Sequence, residues 1–257
     1  MLLCIDIGNS DTVLGLFDGE SLTRHWRVST SGNRTSDEWH LLVSGLLRPT
    51  GGRLDGISVC STVPVVLQEM REMLRTHHSD LACLIVEPGV RTGVPVRMDN
   101  PREVGTDRIL NALAALRLHG APCIVVDFGT ATTYDVVSAR GEYVGGAIAP
   151  GIGLSLEALG RAGAQLRRVE LLRPRTVVAK NTVEALQSGA VFGFAGQVEG
   201  LVNRMVAELG LDREDVTVVA TGGLASVVVE ECAAIDVPDP WLTLHGLRLV
   251  HARNAGA

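Results

Sequence analysis

Two short strings of the same form stand at the ends of apolar runs: Asp6-Ile7-Gly8-Asn9-Ser10 after Met1–Ile5, and Asp127-Phe128-Gly129-Thr130 after Cys123–Val126. An Asp-x-Gly turn leaving a buried strand suits phosphate chemistry. The glycine lets the backbone approach a phosphate, and the N–H groups and hydroxyls that follow donate to its oxygens. The carboxylate stands where a metal ion, held directly or through water, offsets polyphosphate charge. In this reading Gly8, Asn9, Ser10 and Thr12 cradle one phosphate, and Gly129, Thr130 and Thr132 face it from the second string. The plainer alternative is that Asp6 and Asp127 only brace their turns through Asx hydrogen bonds. For one string alone that alternative is preferred; for the matched pair the chemistry is.

Two further segments carry candidate chemistry. Val216–Ala220 runs into Thr221-Gly222-Gly223-Leu224-Ala225, a strand, a glycine turn and then a helix. Bare backbone there accepts a flat ring, and a helix N-terminus favours negative charge; an ordinary strand-to-helix connection explains the segment equally well. Gly105-Thr106-Asp107-Arg108 precedes an apolar helical pattern. A carboxylate near an alcohol serves phosphoryl transfer as a general base. Capping of the following helix is the competing use of Asp107.

The elements that must position these residues are legible as apolar runs between turn signals. The first half reads as strands at Met1–Ile5, Thr12–Phe17, Leu22–Val28, Ile57–Cys60 and Leu81–Val86. Its helices start at Thr35-Ser36-Asp37-Glu38 and at Pro64, with a third over Ile109–Leu118. The pattern then restarts, with strands at Cys123–Val126, Thr132–Val137, Tyr143–Ile148 and Val216–Ala220. Helices follow at Gly151–Leu159, Val183–Leu209 and Trp241–Arg253. The segment I-D-I-G-N-S-D-T lies over V-D-F-G-T-A-T-T at an offset of 121 residues, which points to a duplicated α/β domain with a cleft between the copies. The long helix carries Gly189, Gly193, Gly196 and Gly200 on one face, which allows close helix approach either inside the core, the preferred reading, or across a dimer interface. His77-His78 reads as a solvated helix end.

Composition removes several classes. Hydrophobic residues make up 46% of the 257, enough for a sizeable core, and aromatics only 4%. A net charge of -6 argues against a nucleic-acid partner. Lys180 is the only lysine and follows Ala179, which excludes a P-loop. No G-x-G-x-x-G follows a strand, since G-I-G-L-S-L at Gly151 lacks the third glycine. The cysteines Cys4, Cys60, Cys83, Cys123 and Cys232 are far apart and read as reduced thiols of a cytoplasmic protein. The N-terminus has no basic region of a signal peptide, and no apolar stretch reaches the ~20 residues of a membrane span.

The paired hairpins and late Gly-Gly turn resemble the superfamily of acetate and sugar kinases, heat-shock chaperones and actin. Within it, R-T-S-D-E-W at Arg34, D-N-P-R-E-V-G-T-D-R at Asp99, A-P-G-I-G-L-S at Ala149 and A-K-N-T-V-E-A-L-Q-S-G at Ala179 resemble type III pantothenate kinase. The motifs occur in the same order from Leu2 to about Ala225. The resemblance implies ribonuclease H-like (actin-like ATPase) domains at 1–118 and 119–257, each with a mixed five-stranded sheet flanked by helices, and ATP in the cleft. It implies transfer of the terminal phosphate of ATP to pantothenate, giving 4′-phosphopantothenate, with Asp107 as base.

Residue by residue, the resemblance implies ATP contacts at Asp6, Ile7, Gly8, Asn9, Ser10, Asp11, Thr12, Val13 and Thr130. Substrate contacts fall at Gly105, Thr106, Asp107, Arg108 and Thr182, where Arg108 pairs with the pantothenate carboxylate. Magnesium arrives with ATP near Asp6, potassium or ammonium sits at Asp127, and the assembly is a homodimer. Thr182 is also placed to cap the helix from Val183. Two positions depart from the family pattern. Asp11 brings a negative charge near the anticipated phosphate, and Met98 stands where relatives carry an aromatic wall. Another small-molecule kinase of the superfamily and an accessory regulator of transcription remain the rival readings.

Overall fold

Leu3, Ile5 and Ile7 alternate with Cys4 and Asp6, so a strand here buries one row of side chains on each sheet face. The computed structural model, which describes residues 1–162 and 169–255, realises this as β1 (Leu2–Ile7). It pairs with β2 (Asp11–Asp18), which is followed by β3 (Ser21–Ser29). After α1 (Ser36–Leu47) come β4 (Gly56–Ser61), α2 (Pro64–His77), β5 (Ala82–Ile85) and α3 (Thr106–Leu118). The first sheet has the order β3-β2-β1-β4-β5, with β1 antiparallel to β2 and parallel to β4.

The second half repeats it. β6 (Cys123–Phe128), β7 (Ala131–Val137) and β8 (Tyr143–Pro150) form the meander. Then follow α4 (Ile152–Ala162), α5 (Thr182–Glu208), β9 (Thr217–Thr221), the single-turn α6 (Ala225–Val228), β10 (Val237–Pro238) and α7 (Leu242–Asn254). The order β10-β9-β6-β7-β8 matches the first sheet strand for strand. Both are mixed five-stranded sheets, as duplicated actin-like domains require.

The chain divides into two compact units, Met1–Gly93 with Asn100–Ala114 and Thr243–Ala257, and Val94–Asp99 with Ala115–Leu242. In the first, Leu3, Ile5 and Ile7 pack with Trp39, Val43, Val66 and Met70 of α1 and α2. The opposite face meets α7, where Ser58 Oγ donates to Leu247 O at 3.2 Å and a β-carbon on Gly15 would touch Leu244. In the second unit, Ile124, Val126 and Phe128 pack with Val198, Val202 and Val206 of α5. Among the described residues no helix is long and apolar enough to cross a membrane.

Several expectations change. The ungapped match of the two hairpins holds only as far as the glycine. Ile7 pairs with Thr12, and Phe128 with Thr132, so the first turn is one residue longer and Thr12 corresponds to Thr132 rather than Thr133. β10 carries no sequence signal, because a two-residue strand ending in proline lacks both length and propensity. Gly189, Gly193, Gly196 and Gly200 do not pack in the core: they are exposed, and a β-carbon added at any of them would meet nothing within 4 Å among the described residues. The buried face of α5 is instead Ala190, Val191, Ala195, Val198, Val202 and Val206. His77 is not simply solvated: it stacks on His40 at 4.0 Å and bonds Asp37 at 2.8 Å.

Candidate active site

The first candidate site is assembled from β1, β2, the exit of β3, β4 and the start of α3, all within one unit. Gly8 N donates to Asp11 O at 3.0 Å and closes the turn, leaving Asn9 and Ser10 exposed. Thr30, which sequence reasoning does not single out, clamps that turn. Its hydroxyl donates to Gly8 O at 2.7 Å, and its N–H to Ser10 O at 2.9 Å. With that single proton used, the 2.9 Å contact between the Thr12 and Thr30 hydroxyls has Thr12 as donor. Thr12 is therefore fully buried beneath the turn and supports it from inside. Ile7 is likewise buried, while Val13 is half-buried in β2.

Asp6 projects from β1 beside Cys60, its register partner on β4, and Cys60 Sγ donates to Asp6 Oδ1 at 3.2 Å. Burial pushes the Asp6 carboxyl up to about 7; the Cys60 hydrogen bond opposes the shift and the negative charge of Asp107 adds to it. Two acids near one another in a poorly solvated place call for a cation. That donor set fits magnesium, which in nucleotide sites takes one or two carboxylates and fills its shell with water and phosphate oxygens.

α3 begins at Thr106, earlier than the apolar pattern indicates, and Ile109 N bonds Gly105 O at 3.2 Å. Asp107 therefore lies in the first turn, inside the helix. One of its oxygens, Oδ1, is buried without a hydrogen-bond partner among the described residues. Burial raises its carboxyl above the ordinary range, opposed by the Arg108 backbone N–H and by the Arg108 charge. A buried acceptor left open at a helix N-terminus is a poor choice for stability and a good one for receiving a proton. Asp6, Gly8, Thr12, Asp107 and Arg108 thus belong to one compact unit.

The second Asp-x-Gly turn belongs to the other unit. Gly129 N donates to Ala131 O at 3.0 Å, a turn one residue tighter than the first, and Thr130 is exposed on it. Asp127 pairs in register with Thr221, which delivers the Gly-Gly turn beside it. Gly222 has φ +94°, and a β-carbon there would stand 2.4 Å from Asp127 Oδ1 and 2.6 Å from Phe128 N. Only glycine fits. Gly151 is equally confined, its N–H bonding Thr130 O at 3.1 Å and its β-carbon position 2.3 Å from that oxygen. The helix expected after Ala225 is one turn long, so it offers little of the helix dipole anticipated there. Between α4 and α5 lies an apolar hollow of about 280 Å³, lined by Leu156, Leu159, Ala185, Leu186 and Phe194.

At α5 the cap is Asn181, whose side chain accepts from Glu184 N at 2.9 Å, so capping does not explain Thr182. Thr182 stands exposed at the first helical position.

The model of the family described as type III pantothenate kinase matches residues 2–204. The chain belongs to the type III pantothenate kinase family. A Thermobifida fusca protein named type III pantothenate kinase is 65% identical over 257 residues, covering 99% of this chain and 100% of its own. The fold is shared more widely. A Campylobacter jejuni structure described as a conserved putative Baf family transcriptional activator superposes with a TM-score of 0.61 at 18% identity, covering 99% of this chain and 100% of its own. An activator of 2-hydroxyisocaproyl-CoA dehydratase from Clostridium difficile, solved with bound ADPNP, gives 0.61 at 15% identity, covering 99% and 95%.

The motifs that resemble type III pantothenate kinase have local structural work as well. In R-T-S-D-E-W, Thr35 and Glu38 form a reciprocal capping box for α1, and the Arg34 guanidinium lies 4.6 Å from the centre of the buried Trp39 ring. The Asp11 departure is answered by Arg27, which pairs with its carboxylate across β2 and β3. Met98, the other departure, lies with its sulfur 3.5 Å from a β-carbon position on Gly145 in β8.

Proposed function

We propose that this chain transfers the terminal phosphate of ATP to pantothenate, making 4′-phosphopantothenate, the first step of coenzyme A synthesis. The substrate hydroxyl oxygen forms the new bond to phosphorus as the bond to ADP breaks, and Asp107 Oδ1 takes the hydroxyl proton. In a chain of this family, that buried and unpartnered oxygen is the observation that carries the reading. Asp107 is held for the task by the rigid first turn of α3, and Arg108 beside it pairs with the pantothenate carboxylate.

Asp6, Gly8, Asn9, Ser10, Asp11, Val13 and Thr130 bind ATP, and the buried Ile7 and Thr12 support the turn from inside. Magnesium, when bound with ATP at Asp6, neutralises charge on the transferring phosphate. Potassium or ammonium at Asp127 supplies positive charge in a protein whose only lysine is Lys180. Thr182, at the start of α5, contacts pantothenate together with Gly105 and Thr106. The protein acts in the cytoplasm as a homodimer, with duplicated halves at 1–118 and 119–257. The exposed glycine face of α5, where another backbone approaches without steric cost, supports the dimer. Purified protein given ATP, magnesium, potassium or ammonium, and pantothenate should release ADP only when pantothenate is present. ADP release driven by a hexose or acetate instead would favour another small-molecule kinase. No pantothenate-dependent ADP with any cation would reject the proposal.

A further inference from the structure

By sequence alone Cys60 is one more reduced thiol. In the fold it is the neighbour of Asp6 in the β1–β4 ladder and has no solvent exposure. β1 is bonded on both sides, to β2 and β4, so the backbone of Asp6 is fixed and only its side-chain torsions remain free. The Cys60 Sγ contact of 3.2 Å to Oδ1 restrains those torsions. A thiol has one proton to give and, in apolar surroundings, keeps it.

We propose that Cys60 is a positioning residue for nucleotide binding: it holds Oδ1 of Asp6 so that Oδ2 is presented to the divalent cation that arrives with ATP. The inference rests on the reading that Asp6 meets magnesium-ATP. A small buried hydrophobe would serve packing alone, and packing does not distinguish magnesium-ATP from ATP. The effect of Cys60 is therefore confined to the gain in ATP affinity that magnesium confers.

Calorimetric titration of ATP into the full chain, with and without magnesium, tests it without reference to turnover. Cys60→Ala and Cys60→Val, one smaller and one of similar volume, both lack the donor. Each should reduce affinity for magnesium-ATP by about three- to tenfold, the factor one net hydrogen bond commands, and leave affinity for metal-free ATP unchanged. Cys60→Ser keeps a single-proton donor and should restore the magnesium effect, even if it melts lower. Equal losses with and without magnesium, a wild-type magnesium effect in the Ala or Val variant, or a Ser variant as impaired as Ala would overturn the proposal. Should wild-type ATP affinity ignore magnesium, the parent reading falls and this inference with it. A responsive wild type with unaffected variants sinks the Cys60 role alone.

Discussion

Asp107 bends its Oδ1 back over Gly105, so close that a β-carbon at residue 105 would stand 2.4 Å from it. Gly105 does not adopt a positive φ, so alanine there costs nothing through the backbone. Its whole penalty is displacement of the carboxylate. Gly105→Ala should lower kcat by about tenfold or more, as small misplacements of a catalytic group do. The thermal midpoint should hardly move. In an Asp107→Asn background the same substitution should have no further effect on kcat, and an additive loss there would separate Gly105 from Asp107.

Because burial raises the Asp107 carboxyl, the pH profile has a determined direction. A base works only when ionised, so kcat/KM should climb with pH along a limb centred above the ordinary value of 3.8 and then level off. Linkage runs the other way. The native state holds this proton more tightly than the unfolded chain, so stability falls as pH rises from the unfolded value through the folded one. Asp107→Asn should thus lose about 10²-fold or more of kcat while melting no lower than wild type at pH 8. A variant that keeps both its rate and the acid limb would remove Asp107 as the base.

Thr30 holds two carbonyls of the Asp6 turn, Gly8 O and Ser10 O. Thr30→Val keeps the shape and the backbone bond while deleting the hydroxyl. We expect KM for ATP to rise about fivefold, in line with one net hydrogen bond, with KM for pantothenate unchanged. A change in the pantothenate KM alone would place Thr30 elsewhere in the reaction.

How much of this is legible in the sequence follows from how local each feature is. The Asp-x-Gly turns, the helix start at Thr35–Glu38 and the two α/β repeats are written in contiguous residues, and each reads correctly from order and spacing. The turn-length difference is local too, but two threonines in succession, Thr132 and Thr133, disguise it. Thr30 escapes notice because it reaches Gly8 through the register of the β2–β3 hairpin, 22 residues away. Cys60 meets Asp6 only through parallel pairing of strands separated by α1. Gly222 against Asp127 is longer range still, and its glycine requirement is visible only when β6 and β9 are side by side.

Asn181 and Thr182 separate stability from recognition at adjacent positions. Asn181 caps α5 through Glu184 N, so Asn181→Ala should cost about 1 kcal/mol of stability. Thr182→Ala should leave the thermal midpoint in place and raise KM for pantothenate. The opposite pattern, a stability loss at Thr182 with an unchanged KM, would return that residue to a capping role.

Asp107 is the proposed acceptor of the proton as phosphate passes from ATP to pantothenate. Mass-spectrometric detection of phosphopantothenate in single-turnover reactions, with wild type and Asp107→Asn side by side, tests it most directly. Wild type should form product, and a folded variant that still binds ATP should form it at a rate lower by about 10²-fold or more. Product formation at equal rates by the two proteins would contradict it.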